Sequence, residues 1–436
     1  MKKIISLLLA FIMIFSAVAL MACKEEPPKK TTPGNNNGPD QPGEEIEIPL
    51  VKNKKASVYI VLPEKSSNKV TYARDAVKYG IEKITGVSVL SGVFSTSDYE
   101  ILIGNTGKEE SNQVLAELGE GEFAVKTIGN KIVIAAHDEG FLYEAATQFV
   151  KKCLGEEYTN NDPENLTITN AIDITMDGDT ESNYYKIVNN ARLGGSVSHS
   201  IIFEHKEYVK TDKTKPYRTQ GGVFTGEYVF QGLINYKEDQ GQIIKYDVKT
   251  GEVSYSEVRN DLGHINDLTY NEKTNEVLIG GGTRLVVFDA DTLEYKRTIE
   301  NVPIPVGGAT HRVTYSAARD QYVVAQYGIL NSSLKGLVKS FKQNDVEKDT
   351  VTQGIGCDDI FIYSLCPTVI GSDKYITNVV VYDWAGNFVS YITLEVPNYY
   401  EPENISCVDG ELYIEIVYPL LPNIYFDKVT LRVPEY

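Results

Sequence analysis

The feature that most constrains the fold is a short phrase that returns about every 45 residues between residue 219 and the C-terminus. Each copy places one polar residue just ahead of an apolar run, and the polar positions are 46, 45, 42 and 50 residues apart. A period in this range, with several short strands per repeat, is typical of a β-propeller blade. The five copies therefore predict a five-bladed β-propeller over residues 186–436. The polar lead residues are Gln220, Asn266, His311, Gln353 and Glu403.

Acidic residues end a strand in three of the repeats. Asp247, Asp289 and Asp383 each follow an apolar run and precede turn-forming residues. Because an Asp side chain accepts hydrogen bonds from the backbone of its own turn, this recurrence indicates turn caps rather than catalytic acids. The third repeat departs from the pattern after Tyr327, and we expect a distorted blade there.

The last repeat contains too few strands for a complete blade. Two short apolar segments, 186–188 and 200–203, precede the first repeat. A strand from the start of the propeller that joins the last blade leaves no sheet edge open. We therefore expect these two segments to complete the last blade.

The N-terminus has the pattern of a secretory signal peptide over residues 1–23, because two lysines precede an apolar run that ends in small residues. The ending Leu20-Met21-Ala22-Cys23 resembles a bacterial lipobox. The resemblance implies that Cys23 becomes lipidated and holds the protein at the extracellular face of the cytoplasmic membrane. The apolar run of 17 residues is at the short limit of a membrane span, so an uncleaved helix is the alternative. In both interpretations the rest of the chain is exported.

Residues 24–52 are predicted to be a disordered tether, because almost no apolar residue precedes Ile46. Such a segment cannot bury enough surface to offset the entropy of ordering it. The whole chain carries 42 Lys and Arg against 60 Asp and Glu, a net charge of −18, and it has no basic stripe. This charge argues against a nucleic-acid partner.

Four cysteines follow Cys23, and their spacing contains no metal-type pair. Cys357 and Cys407 hold equivalent places in neighbouring repeats, either as a disulfide or as two small buried apolar residues. Motifs for binding a metal, a phosphate or a dinucleotide do not occur. We therefore expect neither a metal nor a cofactor.

Strand-like and helix-like patterns alternate between residues 53 and 175. This alternation predicts a small α/β sandwich domain. The acidic, polar segment 176–185 is predicted to be a linker that few contacts cross. The predicted strands are 58–62, 99–104, 123–128 and 131–135, and the predicted helices are 70–84, 112–118 and 141–154.

Two phrases in this segment, ILIGNT at 101–106 and GFLYEAA at 140–146, are similar to a known accessory domain. They resemble the non-catalytic α/β domain before the barrel in hexosaminidase-like and α-glucuronidase-like glycoside hydrolases. The resemblance covers roughly 110 residues and implies a carbohydrate setting. This chain has no counterpart of the catalytic barrel, so no catalytic residue carries over.

The first strands of propeller blades converge on a central axis, and ligands commonly bind where such strands ring one mouth of the channel. The amide, imidazole, guanidinium and carboxylate groups predicted there suit a hydroxyl-rich ligand, which needs many directional donors and acceptors. The alternative is that these groups only fill a narrow channel together with water. We call the predicted set the mouth residues: Gln220, His264, Asn266, Asp267, His311, Arg312, Gln353, Glu401 and Glu403.

The phrases at 263–271, 352–359 and 381–384 resemble five-bladed propellers of Gram-positive cell surfaces and their phages. Those include teichoic-acid-associated and phage receptor-binding proteins. The resemblance implies a surface glycopolymer as ligand and no particular reaction. We therefore expect a monomeric, membrane-anchored lipoprotein that binds a carbohydrate or a cell-wall glycopolymer at the propeller mouth.

Two other functions remain open at this point. A polysaccharide-degrading hydrolase or lyase would use His264 or His311 as general base and Glu403 as acid, both within hydrogen-bond reach of one substrate atom. A scaffold that binds protein partners is the other alternative. Whether the protein is an enzyme is not determined by its sequence.

Overall fold

A computed structural model describes residues 45–204, 218–235, 240–305, 310–325, 327–347, 350, 352–370, 374–396, 401–417 and 423–434. The signal peptide, Cys23 and the tether up to residue 44 lie outside the described residues. The prediction that the tether extends to residue 52 is wrong. Strand β1 (Glu45–Pro49) pairs with a strand 120 positions later, and Ile48 and Leu50 are buried in the core. These apolar side chains offset the entropy of ordering the segment.

The first folded part contains ten strands. Its central sheet has six of them, in the order β10-β7-β8-β6-β4-β5, in which β5, β4, β6 and β8 are mutually parallel, β7 is antiparallel to β8, and β10 is antiparallel to β7. This is the α/β arrangement that the sequence predicts. After β1 the strands are β2 (Val51–Lys52), β3 (Lys55–Ala56), β4 (Val58–Val61), β5 (Ser91–Gly92), β6 (Tyr99–Ile103), β7 (Glu122–Ile128), β8 (Lys131–Ala136), β9 (Thr167–Asn170) and β10 (Asp173–Asp177).

Three helices belong to this part: α1 (Asn68–Thr85), α2 (Glu109–Glu117) and α3 (Leu142–Gln148). A 3₁₀ turn (Glu139–Phe141) and a π-helical turn (Phe149–Cys153) flank α3. Helix α1 begins where the Ser67 hydroxyl accepts a hydrogen bond from Val70 N, and it ends at Gly86 in the left-handed conformation. Its apolar stripe is buried against the sheet.

The prediction that residues 176–185 are a linker that few contacts cross is wrong. Strand β10 extends into it and pairs with β7, and helix α4 (Asn183–Asn189) begins within it. The ring of Tyr184 stacks on Tyr143 at a centroid distance of 4.3 Å and on Phe361 at 5.7 Å. Because these aromatic rings fill the space between the α/β part and the sheets that follow, the segment belongs to the folded core.

The remaining strands form three four-stranded sheets, β12–β15, β16–β19 and β20–β23, and one eight-stranded sheet. The strands are β11 (Arg192–Glu204), β12 (Arg218–Phe224), β13 (Tyr228–Asn235), β14 (Gln240–Asp247), β15 (Val253–Tyr255), β16 (Leu268–Asn271), β17 (Glu276–Gly281), β18 (Arg284–Asp289), β19 (Tyr295–Ile299), β20 (Val313–Ser316), β21 (Gln321–Val324), β22 (Gly328–Asn331), β23 (Leu337–Ser340), β24 (Ile355–Cys357), β25 (Phe361–Ile370), β26 (Lys374–Asp383), β27 (Phe388–Glu395), β28 (Glu401–Val408), β29 (Glu411–Val417) and β30 (Asn423–Arg432).

The eight-stranded sheet has the order β24-β25-β26-β27-β11-β30-β29-β28. Strand β11 pairs antiparallel with β30, with Ile201 opposite Phe426, so the expectation that 200–203 joins the last repeat is confirmed. Segment 186–188 lies in helix α4 instead of a strand, and that part of the expectation is wrong. On its other edge β11 pairs in parallel with β27, which merges two repeats into one sheet.

The first strands of the repeats lie beside one another around an axis. β12 contacts β16, β16 contacts β20, β20 contacts β24, β24 contacts β28, and β28 returns to β12. Such radially repeated antiparallel sheets are the arrangement of a β-propeller. The third repeat, which we expected to be distorted, forms a complete sheet whose strands are four residues each.

The acidic residues at the strand ends cap turns, as the sequence predicts. Asp247 accepts hydrogen bonds from Lys249 N and Thr250 N at 2.9 and 2.8 Å. Asp289 accepts from the two equivalent N–H groups at 3.0 Å, and backbone donation lowers the pKa of both carboxyl groups. Asp383 accepts from Asn387 N at 2.8 Å.

The α/β part packs on the hairpin turns of the sheets, so the expectation that few contacts join the two parts is wrong. Arg319 is the centre of this interface: it donates to Asp75 Oδ2 at 3.1 Å, to the Tyr79 hydroxyl at 3.2 Å and to Asp359 O at 2.7 Å. Its guanidinium also lies 5.0 Å from the ring of Trp384. The two parts therefore share one interface with buried charge.

The thiols of Cys357 and Cys407 are free. The two cysteines therefore do not form the disulfide that their spacing left open. Burial raises the pKa of both, so neither is activated as a thiolate. Within the ranges given above, no helix is long and apolar enough to cross a membrane.

Candidate ligand-binding site at the propeller axis

Glycine lets the first strands approach the axis closely. A Cβ atom on Gly221 would lie 2.2 Å from the carbonyl oxygen of Asn266, and one on Gly354 would lie 2.4 Å from Asn404 Oδ1. Real Cβ atoms do not come this close to backbone or side-chain atoms. The glycines in the repeated phrase therefore permit the convergence that places the mouth residues near one another.

Asp267 is fully buried, and its carboxylate links several first strands. Oδ1 accepts from Leu268 N at 2.8 Å, and Oδ2 accepts from Val313 N at 3.1 Å and Ile355 N at 3.2 Å. Burial raises the pKa of Asp267 well above its ordinary value, and the three N–H donors, with the charge of Arg312, oppose that rise. Because protein donors occupy both oxygens, Asp267 holds strands together and does not face a ligand.

Asn404 completes this connection. Its amide donates to Asp267 Oδ1 at 2.6 Å and to the carbonyl oxygen of Gly222. Asp267 lies directly before β16. Its carboxylate and the Asn404 amide thus connect β16 with β12, β20, β24 and β28. The predicted set of mouth residues does not contain Asn404, although it is the residue that directly follows Glu403.

Two further acids lie near this connection. Glu403 is 4 % exposed, and burial raises its pKa well above the ordinary value, with the neighbouring carboxyl groups of Glu401, Glu415 and Asp267 acting in the same direction. Glu415 is fully buried, and burial is also the main cause of its strongly raised pKa. Glu415 is not among the predicted mouth residues, because an acid inside an apolar strand gives no signal of which face it occupies.

The glutamines of the predicted mouth bond within the protein. Gln353 Nε2 donates to Glu401 Oε1 at 3.1 Å, which brings these two mouth residues together. Gln220 is 7 % exposed, and its Nε2 donates to the carbonyl oxygen of Thr219 at 2.9 Å.

Two mouth residues have hydrogen-bonding atoms that the protein does not satisfy. Asn266 Oδ1 and the Nε and Nη1 atoms of Arg312 are buried and have no partner in the described part of the chain. Arg312 is 2 % exposed, and its charge acts on the pKa of Asp267 and of Tyr327, whose ring it approaches to 6.0 Å. Buried polar atoms are nearly always paired, so these three are available to a ligand or to water.

The two histidines of the predicted mouth are less buried. His264 is exposed and His311 is half-buried, and burial lowers the pKa of both imidazoles. Both are therefore neutral near pH 7. Of the residues described, no group of three or more His, Cys, Asp and Glu side chains could hold a metal ion.

Comparison with known proteins gives no family for this chain. No protein-family model matches the sequence, and the search of curated proteins gives no match either. Among solved structures, glutaminyl cyclase of Myxococcus xanthus is 13% identical with a TM-score of 0.38, and the match covers 56% of this chain and 100% of that one. BamB of Moraxella catarrhalis is 11% identical with a TM-score of 0.26, covering 47% and 68%. The Dos1 propeller is 11% identical with a TM-score of 0.29, and the match covers 45% of this chain and 52% of that one. These scores are too low to carry an argument about function.

Proposed function

We propose that this chain is an exported, membrane-anchored lipoprotein whose five-bladed β-propeller binds a carbohydrate or a cell-wall glycopolymer at the mouth. The observation that carries the proposal is the set of buried, unpaired hydrogen-bonding atoms of Asn266 and Arg312. A polyhydroxylated ligand offers both donors and acceptors, so it can pair an amide oxygen and a guanidinium in one site. Leaving such groups unpaired costs roughly 1–3 kcal/mol each, which a ligand would recover.

The number of blades is supported by the order of contacts around the axis. Five first strands follow one another and the fifth returns to the first, with β11 as the outer strand of the last group. Joining the first and last parts of the chain in one sheet closes the ring without an exposed edge. The parallel pairing of β11 with β27 fuses two of the five groups but leaves each with four strands.

The membrane anchor is supported by the sequence alone. The lipobox-like ending at Cys23 is followed by about 20 polar residues before Glu45, where the folded part begins. A stretch of this length reaches up to roughly 70 Å when extended. The folded part would thus stand clear of the membrane surface and present its mouth to a polymer of the cell envelope.

A glycan-binding measurement on the full chain tests the proposal. The protein would be screened against an array of cell-surface glycans, and affinities would be measured for any that bind. We expect Asn266→Ala and Arg312→Gln to weaken binding by up to about a hundredfold, because each removes a partner of the ligand. Lys335→Gln, at an exposed turn of the third repeat, is the matched control. The proposal fails if no glycan binds the parent, or if both mouth variants bind as it does.

A further inference from the structure

Two buried acceptor oxygens lie beside the same glycine where the first repeat meets the last. Gln231 on β13 and Glu415 on β29 are both 0% exposed. A Cβ atom built on Gly222 would lie 2.6 Å from Gln231 Oε1 and 3.1 Å from Glu415 Oε2. Both oxygens therefore converge on one point beside Gly222, in a place that only glycine leaves free.

The N–H groups of the Gln231 amide lie against backbone carbonyl oxygens. Nε2 donates to the carbonyl oxygen of Gln220 and lies 3.4 and 3.3 Å from those of Gly221 and Gly232. If the amide were turned over, Oε1 would face the same three carbonyl oxygens, and acceptors repel one another. Oε1 is therefore the amide atom left for another partner, and no described residue donates to it.

The carboxyl group of Glu415 has no better partner. The Gly222 backbone and the Gln231 amide approach closely enough to act on its pKa, yet neither carboxyl oxygen receives a hydrogen bond of acceptable geometry from the described residues. β12, β13 and β30 present Gly222, Gln231 and Phe426 beside it, and none of these titrates. The titratable groups that face it are acids, Asp267 ahead of β16 and Glu403 on β28, with Glu401 beyond Glu403.

A negative charge at this position would have no cation beside it and would receive no hydrogen bond of acceptable geometry from the described residues. Burying an unpaired carboxylate costs several kcal/mol, and neighbouring acids add to that cost. One proton removes the charge and also turns one of the two facing acceptors into a donor. The arrangement is thus complementary to a carboxylic acid.

We propose that Glu415 is a neutral carboxylic acid in the folded protein, and that its O–H donates to Gln231 Oε1 and fastens the last repeat to the first. Loss of that proton to solvent leaves two facing acceptors and a charge beside Glu403. The junction at Gly222 and Asn404, which closes the ring of first strands, then weakens. The protein therefore contains a pH-sensitive closure, which loosens as the pH rises.

The sign of the pH effect follows from the direction of the shift. Burial raises the pKa of Glu415 above its ordinary value of 4.5, so the native state keeps a proton that the unfolded chain releases. Stability is then greatest below that ordinary value and falls as the pH rises toward the native pKa. Asp267 and Glu403 have pKa values raised in the same direction, so a variant of Glu415 removes only one part of the slope.

The test compares Glu415→Gln with the parent, using the full chain in detergent. A Gln side chain has the same shape, and its amide N–H can replace the carboxyl O–H. We expect the variant to be as stable as the parent below the ordinary value of 4.5 and more stable in neutral and alkaline buffer. Between the unfolded and native pKa values, the melting temperature of the parent should fall by roughly 1–2 °C per pH unit relative to that of the variant. An infrared band of a protonated carboxyl group should also be lost from the variant.

Two further samples make the result decisive. Glu252→Gln, at an exposed turn, should keep the pH slope of the parent. Adding calcium ions tests whether a cation, not a proton, lies between the two oxygens. The proposal is overturned if Glu415→Gln is less stable at every pH with an unchanged slope. It is also overturned if calcium raises the melting temperature of the parent but not that of the variant.

Discussion

The amide of Asn404 donates to Asp267 Oδ1 at 2.6 Å, although the two residues are 137 positions apart in the sequence. The same carboxylate accepts N–H groups from the strands that carry Val313 and Ile355. Several repeats are thus fixed to each other by one acidic side chain at the axis. This connection, together with the close approach of the first strands that glycine permits, determines how close the mouth residues lie to one another.

Asp267→Asn is expected to lower the free energy of unfolding by at least about 3 kcal/mol. An Asn side chain places an NH₂ group against donors that the carboxylate accepts, so buried N–H groups lose their partner. Urea unfolding measures the loss. Asp289→Asn is the matched control, because Asn also caps turns and a change below about 1 kcal/mol is expected there. Equal losses in both variants would show that the axial carboxylate is not a connection of this kind.

Arg319→Ala is expected to destabilise the protein by roughly 2–4 kcal/mol, since it leaves Asp75 without one buried partner and removes the contact with Trp384. We expect thermal unfolding to separate into two transitions, which calorimetry would detect. Residues 184–436 alone should then fold poorly. Arg432→Ala, which breaks the exposed pair with Glu395, should cost less than about 1 kcal/mol. A single unchanged transition in Arg319→Ala would contradict this prediction.

Glu276 gives a prediction for acid unfolding. Hydrogen bonds from Arg297 and Lys296 lower its pKa to about 2. A depressed pKa stabilises the protein above the ordinary value of 4.5, and this contribution is lost as the pH falls toward about 2. Because both basic partners are more than a third exposed, we expect Glu276→Gln to cost only about 1–2 kcal/mol near pH 7. Unfolding by urea at several pH values should show the two proteins converging in acid, and a constant difference would contradict this account.

His311→Ala and Glu403→Gln are each expected to weaken glycan binding by up to about a hundredfold without lowering the melting temperature. If His311 also acts as a general base, turnover would fall further, by roughly 10²–10⁴. Isothermal titration with a glycan that binds the parent measures the first effect, and product analysis the second. His137→Ala, an exposed histidine of the α/β part, is the control. Unchanged affinity in both mouth variants would place the site away from the axis.

Cys23→Ala is expected to move the protein from the membrane fraction to the medium, or to leave an unprocessed precursor. Without the thiol no lipid can be attached at this position. Fractionation followed by immunoblotting measures the distribution. Met21→Ala alters a position two residues before Cys23 and keeps the thiol, so it should behave like the parent. A Cys23→Ala protein that is cleaved and stays with the membrane would contradict lipidation at this residue.

The sequence by itself determined the elements whose signals are local. The repeat period of about 45 residues indicated the propeller, and the turn chemistry of Asp247 and Asp289 identified them as caps. The apolar stripe between Ser67 and Gly86 predicted helix α1. These features depend on neighbours within a few positions, so a pattern in the sequence carries them.

Only the tertiary structure decided which polar groups meet. Asp267 looks like any other mouth residue in the sequence, yet it is saturated by distant N–H donors, whereas Arg312 beside it keeps two unpaired atoms. Asn404 and Glu415 gave no signal at all. The polar segment 176–185 was predicted to be a linker, although it contributes Tyr184 to the folded core. The burial of Tyr184 depends on Tyr143 and Phe361, which come from remote parts of the chain. Burial and pairing arise from contacts between residues far apart in sequence, and no local pattern records them.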